Sequence, residues 1–146
     1  MKKRLLHFKY WKGRPIKDDY NGKPLIDYKG RPLFAELVVL NMLKQKGWNG
    51  VWVDCYHKKF RKGMMHVKPV KLPPGPEKYL KAIIKKNGKL SGCWDIFAWK
   101  GNQYQFVELK RRKKDKIRDS QKRWYKIIRS LKFLKPTFTI VEWDFE

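Results

Sequence analysis

The sequence predicts an α/β fold in a single domain, a central mixed β-sheet flanked by helices. Three observations predict it. Segments of helical periodicity alternate with short β-branched and aromatic runs, in the order helix, strand, helix, hairpin, helix, strand. The 146 residues match the size of one domain. A hydrophobic content of 42%, with 15% aromatics, is enough for a core despite the 34% of charged residues.

Residues 1–32 are basic, aromatic and rich in turn formers. Three Gly-basic-Pro units, Gly13-Arg-Pro, Gly22-Lys-Pro and Gly30-Arg-Pro, lie nine and eight residues apart and follow Trp11, Tyr20 and Tyr28. That spacing suits short strands joined by turns. The segment is expected as an N-terminal arm ahead of a domain over 33–146, either following a phosphate backbone or forming an irregular lid on the core.

Leu33, Phe34, Leu37, Leu40 and Leu43 recur at three- and four-residue steps, so 33–46 reads as a helix, with Pro32 at its start and Gly47 as its stop. Residues 51–56 (Val-Trp-Val-Asp-Cys-Tyr) read as a strand. A basic, proline-rich loop covers 57–76, with a short strand at 66–70. A second helix runs from Pro76 to Lys86, with Tyr79, Leu80, Ile83 and Ile84 inward and Asn87-Gly88 as its end. Residues 93–99 read as a strand, 100–102 as a turn and 103–110 as the returning strand of a hairpin. A basic stretch then leads into a helix over about 119–133, striped by Trp124, Ile127, Ile128 and Leu131, and a last strand at 138–143.

The chain carries 37 Lys+Arg against 13 Asp+Glu, a formal charge of +24. A surplus of this size destabilises the folded state by self-repulsion and is useful against a polyanion, nucleic acid first. No apolar run is long enough for a membrane span, and the N-terminus lacks the apolar region of a signal peptide. The basic residues are not collected on one amphipathic helix, which argues against a membrane-surface partner. Two cysteines without CxxC spacing exclude a disulfide scaffold, and Cys55, His57, His66 and Cys93 match no common zinc spacing. There is no GxxxxGK[ST] motif for a nucleotide phosphate. The expectation is a soluble, intracellular protein, cytoplasmic, nucleoid-associated or virus-encoded.

In so basic a chain the informative residues are the acids. Asp18, Asp19, Asp27, Asp115 and Asp119 sit in polar or basic stretches, where charge balance or capping accounts for them, and Glu77 suits the dipole of a first helical turn. Glu36, Asp54, Asp95, Glu108 and Glu142 instead sit among apolar residues. Asp54 shares a strand face with Trp52 and Tyr56 and is read as structural. Asp95 and Glu108 fall on the two strands of the hairpin. Side chains repeat every two residues along a strand, so Glu108 and Lys110 share a face one strand from Asp95. Two neighbouring carboxylates repel unless a cation lies between them, and oxygen ligands favour magnesium over zinc. A lysine beside them can orient an attacking water or steady phosphate charge. Asp27-Tyr-Lys29 has the same spacing but is expected in a turn with no strand.

The ordered set is Gly92-Cys-Trp-Asp95-Ile-Phe-Ala-Trp99, Phe106-Val-Glu108-Leu-Lys110 and Asp119-Ser-Gln121-Lys-Arg-Trp124, with Glu36 inside the first helix. This set resembles the PD-(D/E)xK nuclease superfamily and within it is most similar to the virus-type replication-repair nuclease (VRR-NUC) domain, over about residues 92–143. Trp94 stands where the family usually has proline, and the basic run Arg111-Arg-Lys-Lys114 replaces a glycine-rich loop.

The resemblance implies a restriction-endonuclease-like core and a magnesium-dependent phosphodiesterase, with Mn2+ substituting. Asp95, Glu108 and the backbone carbonyl of Leu109 would hold metal. Lys110 would act on the water, Glu36 would assist the metal site, and Gln121 would support the lysine or the substrate. Arg111, Arg112, Lys113, Lys114, Lys122 and Arg123 would contact nucleic acid. Trp48, Trp52 and Trp99 are expected in the core more than in base stacking. By analogy the substrate would be DNA, branched DNA in particular, the products 5′-phosphate and 3′-hydroxyl ends, and the assembly a homodimer. RNA as substrate, and a non-enzymatic nucleic-acid binder using the same surface, stay open from sequence.

Overall fold

The computed structural model describes residues 1–17 and 20–146. Asp18 and Asp19, read as charge-balancing acids, lie outside the described residues. Among the described residues there are eight strands and three helices: β1 (Lys2–Tyr10), β2 (Ile26–Tyr28), β3 (Arg31–Leu33), α1 (Ala35–Gln45), β4 (Asn49–Asp54), β5 (Lys59–Arg61), α2 (Pro74–Asn87), β6 (Ile96–Lys100), β7 (Gln103–Arg111), α3 (Asp119–Ser130) and β8 (Thr137–Phe145). One sheet runs in the order β3-β2-β1-β8-β7-β6-β4-β5. Strands β1, β8 and β7 are mutually parallel, and the other pairings are antiparallel, so the sheet is mixed.

Alternation along β6 shows why both faces are covered. Ile96 and Ala98 join Trp52, Val107 and Leu109 under α1, where Phe34, Leu37 and Val38 are buried. Phe97 and Trp99 join Val51, Phe106 and Phe138 under α2 and α3, where Leu80, Ile83, Trp124 and Ile128 are buried. An apolar run without alternation of polar residues is what a strand buried on both faces requires. Trp52 and Trp99 are core residues, as expected, and Trp48 is half-buried against α1.

Several elements differ from expectation. Residues 1–32, expected as an arm, supply three strands to the sheet, with β1 paired along β8 from Lys2 to Phe8. Asp27 lies on β2 and its carboxylate accepts from the Gly30 amide at 2.8 Å, closing the β2–β3 turn. α1 begins at Ala35 because Pro32 and Leu33 belong to β3. Inside the 57–76 loop, β5 pairs with β4 and touches Val70 through a bridge from Phe60. α3 ends at Ser130, short of Leu131. The strand expected over 93–99 begins at Ile96, which puts Asp95 in the bend that feeds it. No helix among the described residues is long and apolar enough to cross a membrane.

Candidate functional site

The β6–β7 hairpin pairs Ile96 with Val107, so Asp95 falls beside Glu108 at the end of the ladder. Two hydrogen bonds lock them together. The Asp95 amide donates to Glu108 Oε1 at 2.9 Å, and the Leu109 amide donates to Asp95 Oδ2 at 2.9 Å. The approach to Asp95 is fixed by Gly92 and Trp94. Gly92 has φ +94°, and a Cβ there would meet the Ser120 carbonyl oxygen at 2.5 Å, so only glycine lets this segment pass the first turn of α3. Trp94 is fully buried and donates its indole N–H to the Gln121 carbonyl at 3.1 Å.

Glu108 is the hub. It is 1% exposed, as is Gln121. Its Oε2 accepts from the Gln121 side-chain amide and lies 3.0 Å from Lys110 Nζ. The other end of the Gln121 side chain accepts from the Arg118 amide at 3.0 Å, tying α3's first turn to the same group. Gln121, expected to support the lysine or substrate, is bonded to Glu108 and to the Arg118 amide.

Glu36 enters from α1. Its Oε2 lies 2.7 Å from Lys23 Nζ, while Oε1 is buried without a hydrogen-bond partner. Glu36, Asp95, Glu108, Leu109 and Lys110 line one cleft of about 490 Å³. Burial, then the neighbouring Glu108 and Glu36 carboxylates, push the Asp95 pKa well above the ordinary carboxylate range; the Leu109 amide and Lys23 offset only part of this. Burial also raises Glu108, against the lowering effect of Lys110, the Asp95 amide and Gln121. Burial lowers Lys23 and Glu36 raises it; the net is a rise.

Among the described residues no three His, Cys, Asp or Glu side chains are grouped closely enough to hold a metal ion as they stand. Lys23 is paired with Glu36, and three donors occupy Glu108. Cys55 and Cys93 are free; burial pushes the Cys55 thiol up to about 11 and Cys93 well above its usual value, so neither is poised as a thiolate ligand.

The six expected nucleic-acid contacts separate. Arg111 and Lys114 line the cleft, and the Arg111 guanidinium packs 5.6 Å from the Trp143 ring centre. Arg112 and Lys113 are exposed on the loop outside the cleft wall. Lys122 lines a neighbouring groove. Arg123 donates to the Asn87 side chain at 3.1 Å and so tethers α3 to the end of α2.

Sequence reasoning missed Lys23, Lys116 and Arg118 as cleft cations. For Lys23 the available signal was its place in the second Gly-basic-Pro unit. Asp54 is structural, as read. It is 1% exposed and accepts from Tyr20 at 2.9 Å, Arg61 at 2.8 Å and the His57 amide at 3.2 Å, with His57 Nδ1 at 2.8 Å. Burial would raise its pKa, but these partners hold it below the ordinary value. Through Tyr20 this hub anchors the segment that carries Lys23.

Compared with protein-family models, curated proteins and solved structures, the chain has no match.

Proposed function

We propose that the chain is a metal-dependent DNA endonuclease of the PD-(D/E)xK kind, with a restriction-endonuclease-like core similar to the VRR-NUC domain. One observation carries the reading: Glu36, Asp95, Glu108 and Lys110, from three separate parts of the sequence, line a single cleft rimmed by Lys23, Arg111, Lys114, Lys116 and Arg118. Branched DNA as the substrate and a homodimer are included on analogy.

The residues have the oxygen chemistry that a hard divalent cation takes, and an ion there would replace Lys23 as the partner of Glu36 and draw the carboxylates together. Glu36 has a buried carboxylate oxygen without a partner, and Asp95 sits beside two like charges that a cation would offset. Asp95 and Glu36, with Glu108 and the Leu109 carbonyl, would hold magnesium. When bound, the ion would neutralise phosphate charge and lower the pKa of water. The chain's own residues supply the rest. The Asp95 amide and Gln121 hold Glu108 in one orientation, and Glu108 aims Lys110. Lys110 then orients the attacking water and steadies charge on the phosphate. The rim cations hold the flanking phosphates for in-line attack.

The test is cleavage of labelled plasmid, flap and four-way-junction DNA with magnesium, comparing wild type with Lys110→Ala. We expect wild type to cut and the variant to lose at least about a hundredfold in rate. Equal cutting by both proteins, or cutting that survives EDTA, overturns the assignment.

The ion pairs favour a second reading. Lys23–Glu36 and Lys110–Glu108 also suit a non-enzymatic nucleic-acid binder whose acids only balance internal lysines. Salt-sensitive DNA binding by wild type without magnesium-dependent cutting selects that reading, and magnesium-dependent cutting rejects it.

A further inference from the structure

We propose that the groove beside the cleft takes the unpaired strand of a nucleic-acid substrate as it leaves the reaction site; this rests on the nuclease reading above. The groove is about 600 Å³. Lys3 of β1, Lys116, and Lys122 of α3 line it; Arg4 borders it, but its side chain, in register with Val141, belongs to the opposite face of the sheet. Lys110 and Lys116 line both the groove and the cleft, so a chain of phosphates passes from one to the other without leaving positive potential.

The apolar residues distinguish the kind of strand. Leu5, Ile117 and Ile140 line the groove with the cations; Ile140 is buried, and Leu5 is 48% exposed on a strand rich in basic residues. A duplex presents phosphates and sugars outward and keeps its base faces stacked inside. An unpaired strand carries its flat base faces with it and can set them on apolar side chains while its phosphates meet lysines. The two acids of the groove do not cancel the field. Asp115 accepts from the Arg111 amide at 3.2 Å, turned to its own loop, and Glu142 lies beside Lys110 in the β7–β8 register.

β1 leaves room for this. Among the described residues β2 pairs only with Lys9 and Tyr10, so the edge of the preceding residues facing away from β8 pairs with no strand. Lysines on an open edge also prevent edge-to-edge association. That ordinary role predicts sensitivity to net charge, with no preference between strand types.

The experiment measures fluorescence anisotropy of a labelled single-stranded oligodeoxynucleotide and of its blunt duplex, in EDTA so that nothing is cut. Four proteins are compared: wild type, Lys3→Glu/Lys122→Glu, Lys122→Glu alone, and the control Lys71→Glu/Lys78→Glu. The control changes charge equally at exposed positions outside the groove. The double groove variant should lose about tenfold or more in single-strand affinity and Lys122→Glu about threefold or more, each at least about threefold more than it loses for duplex, with the control within about twofold of wild type. Parallel loss for single strand and duplex, an equal loss in the control, or no loss at all overturns the proposal. Circular dichroism melts report folding, and if the double groove variant does not fold, Lys122→Glu decides alone. Failure of the nuclease reading shows separately, as absence of magnesium-dependent cutting by wild type, and does not alter the anisotropy comparison.

Discussion

A carboxylate with two occupied oxygens is a poor general base but a good rudder. Glu108 receives three donors, so its contribution is to fix Lys110 and the Asp95 backbone, while Asp95 and Glu36 have more to gain from a cation. That division gives a pH prediction. The folded-state pKa of Asp95 is raised, so the native protein binds its proton more tightly than the unfolded chain does. Stability from this group therefore falls as pH rises through the window from the unfolded carboxylate value up to the raised native one. Asp95→Asn keeps an acceptor for the Leu109 amide and removes the charge. It should raise the melting temperature by a few degrees at neutral pH, lose that advantage below the ordinary carboxylate pKa, and abolish cutting; melting scans across pH check it. A lower melting temperature at neutral pH would show that the carboxylate stabilises the fold. Asp95, Glu108 and Lys110 were legible in the sequence because a hairpin turn and a period of two fix their relation. Lys23 and the Tyr20–Asp54 bond were not, because Tyr20 and Asp54 are 34 residues apart and no period links them.

At the scale of elements, the junction between the 92–95 bend and α3 positions the site. Gly92 passes the Ser120 carbonyl, Trp94 bonds the Gln121 carbonyl, and Gln121 reaches Glu108. Gly92→Ala meets both a left-handed backbone and a 2.5 Å approach to a carbonyl oxygen. It should cost about 2 kcal/mol or more in urea unfolding and impair cutting through displacement of Asp95. A cost under about 0.5 kcal/mol would show that the bend relaxes freely. The same scale shows where sequence patterns fail. β6 and β7 announced themselves by apolar runs around a turn. β1 did not, because five of its nine residues are basic or histidine and only Phe8 is buried. β5 is three residues in a charged loop, held by its register with β4 and by a bridge to Val70.

For the whole molecule, the charge of +24 has a direction. The cleft and the groove together gather Lys3, Lys23, Arg111, Lys116, Arg118 and Lys122 around one end of β7, with Lys110 between them. DNA binding should therefore fall steeply with salt, with a log–log slope of roughly −5 or steeper in a titration without divalent ions. A slope near −1 would mean that most of the charge faces solvent and serves only to keep molecules apart. The layered α/β class was legible from element order, and the three strands on the N-terminal side of the sheet were not, because β1 joins them to the rest by register across the whole chain. Lys2 lies opposite Thr139 and Phe8 opposite Phe145. On the ribosome residues 2–8 of the first strand must wait without their partner until the last strand is made. So non-local a closure slows folding. The lysines and arginine that line the waiting strand keep it dissolved and apart from its neighbours until its partner arrives.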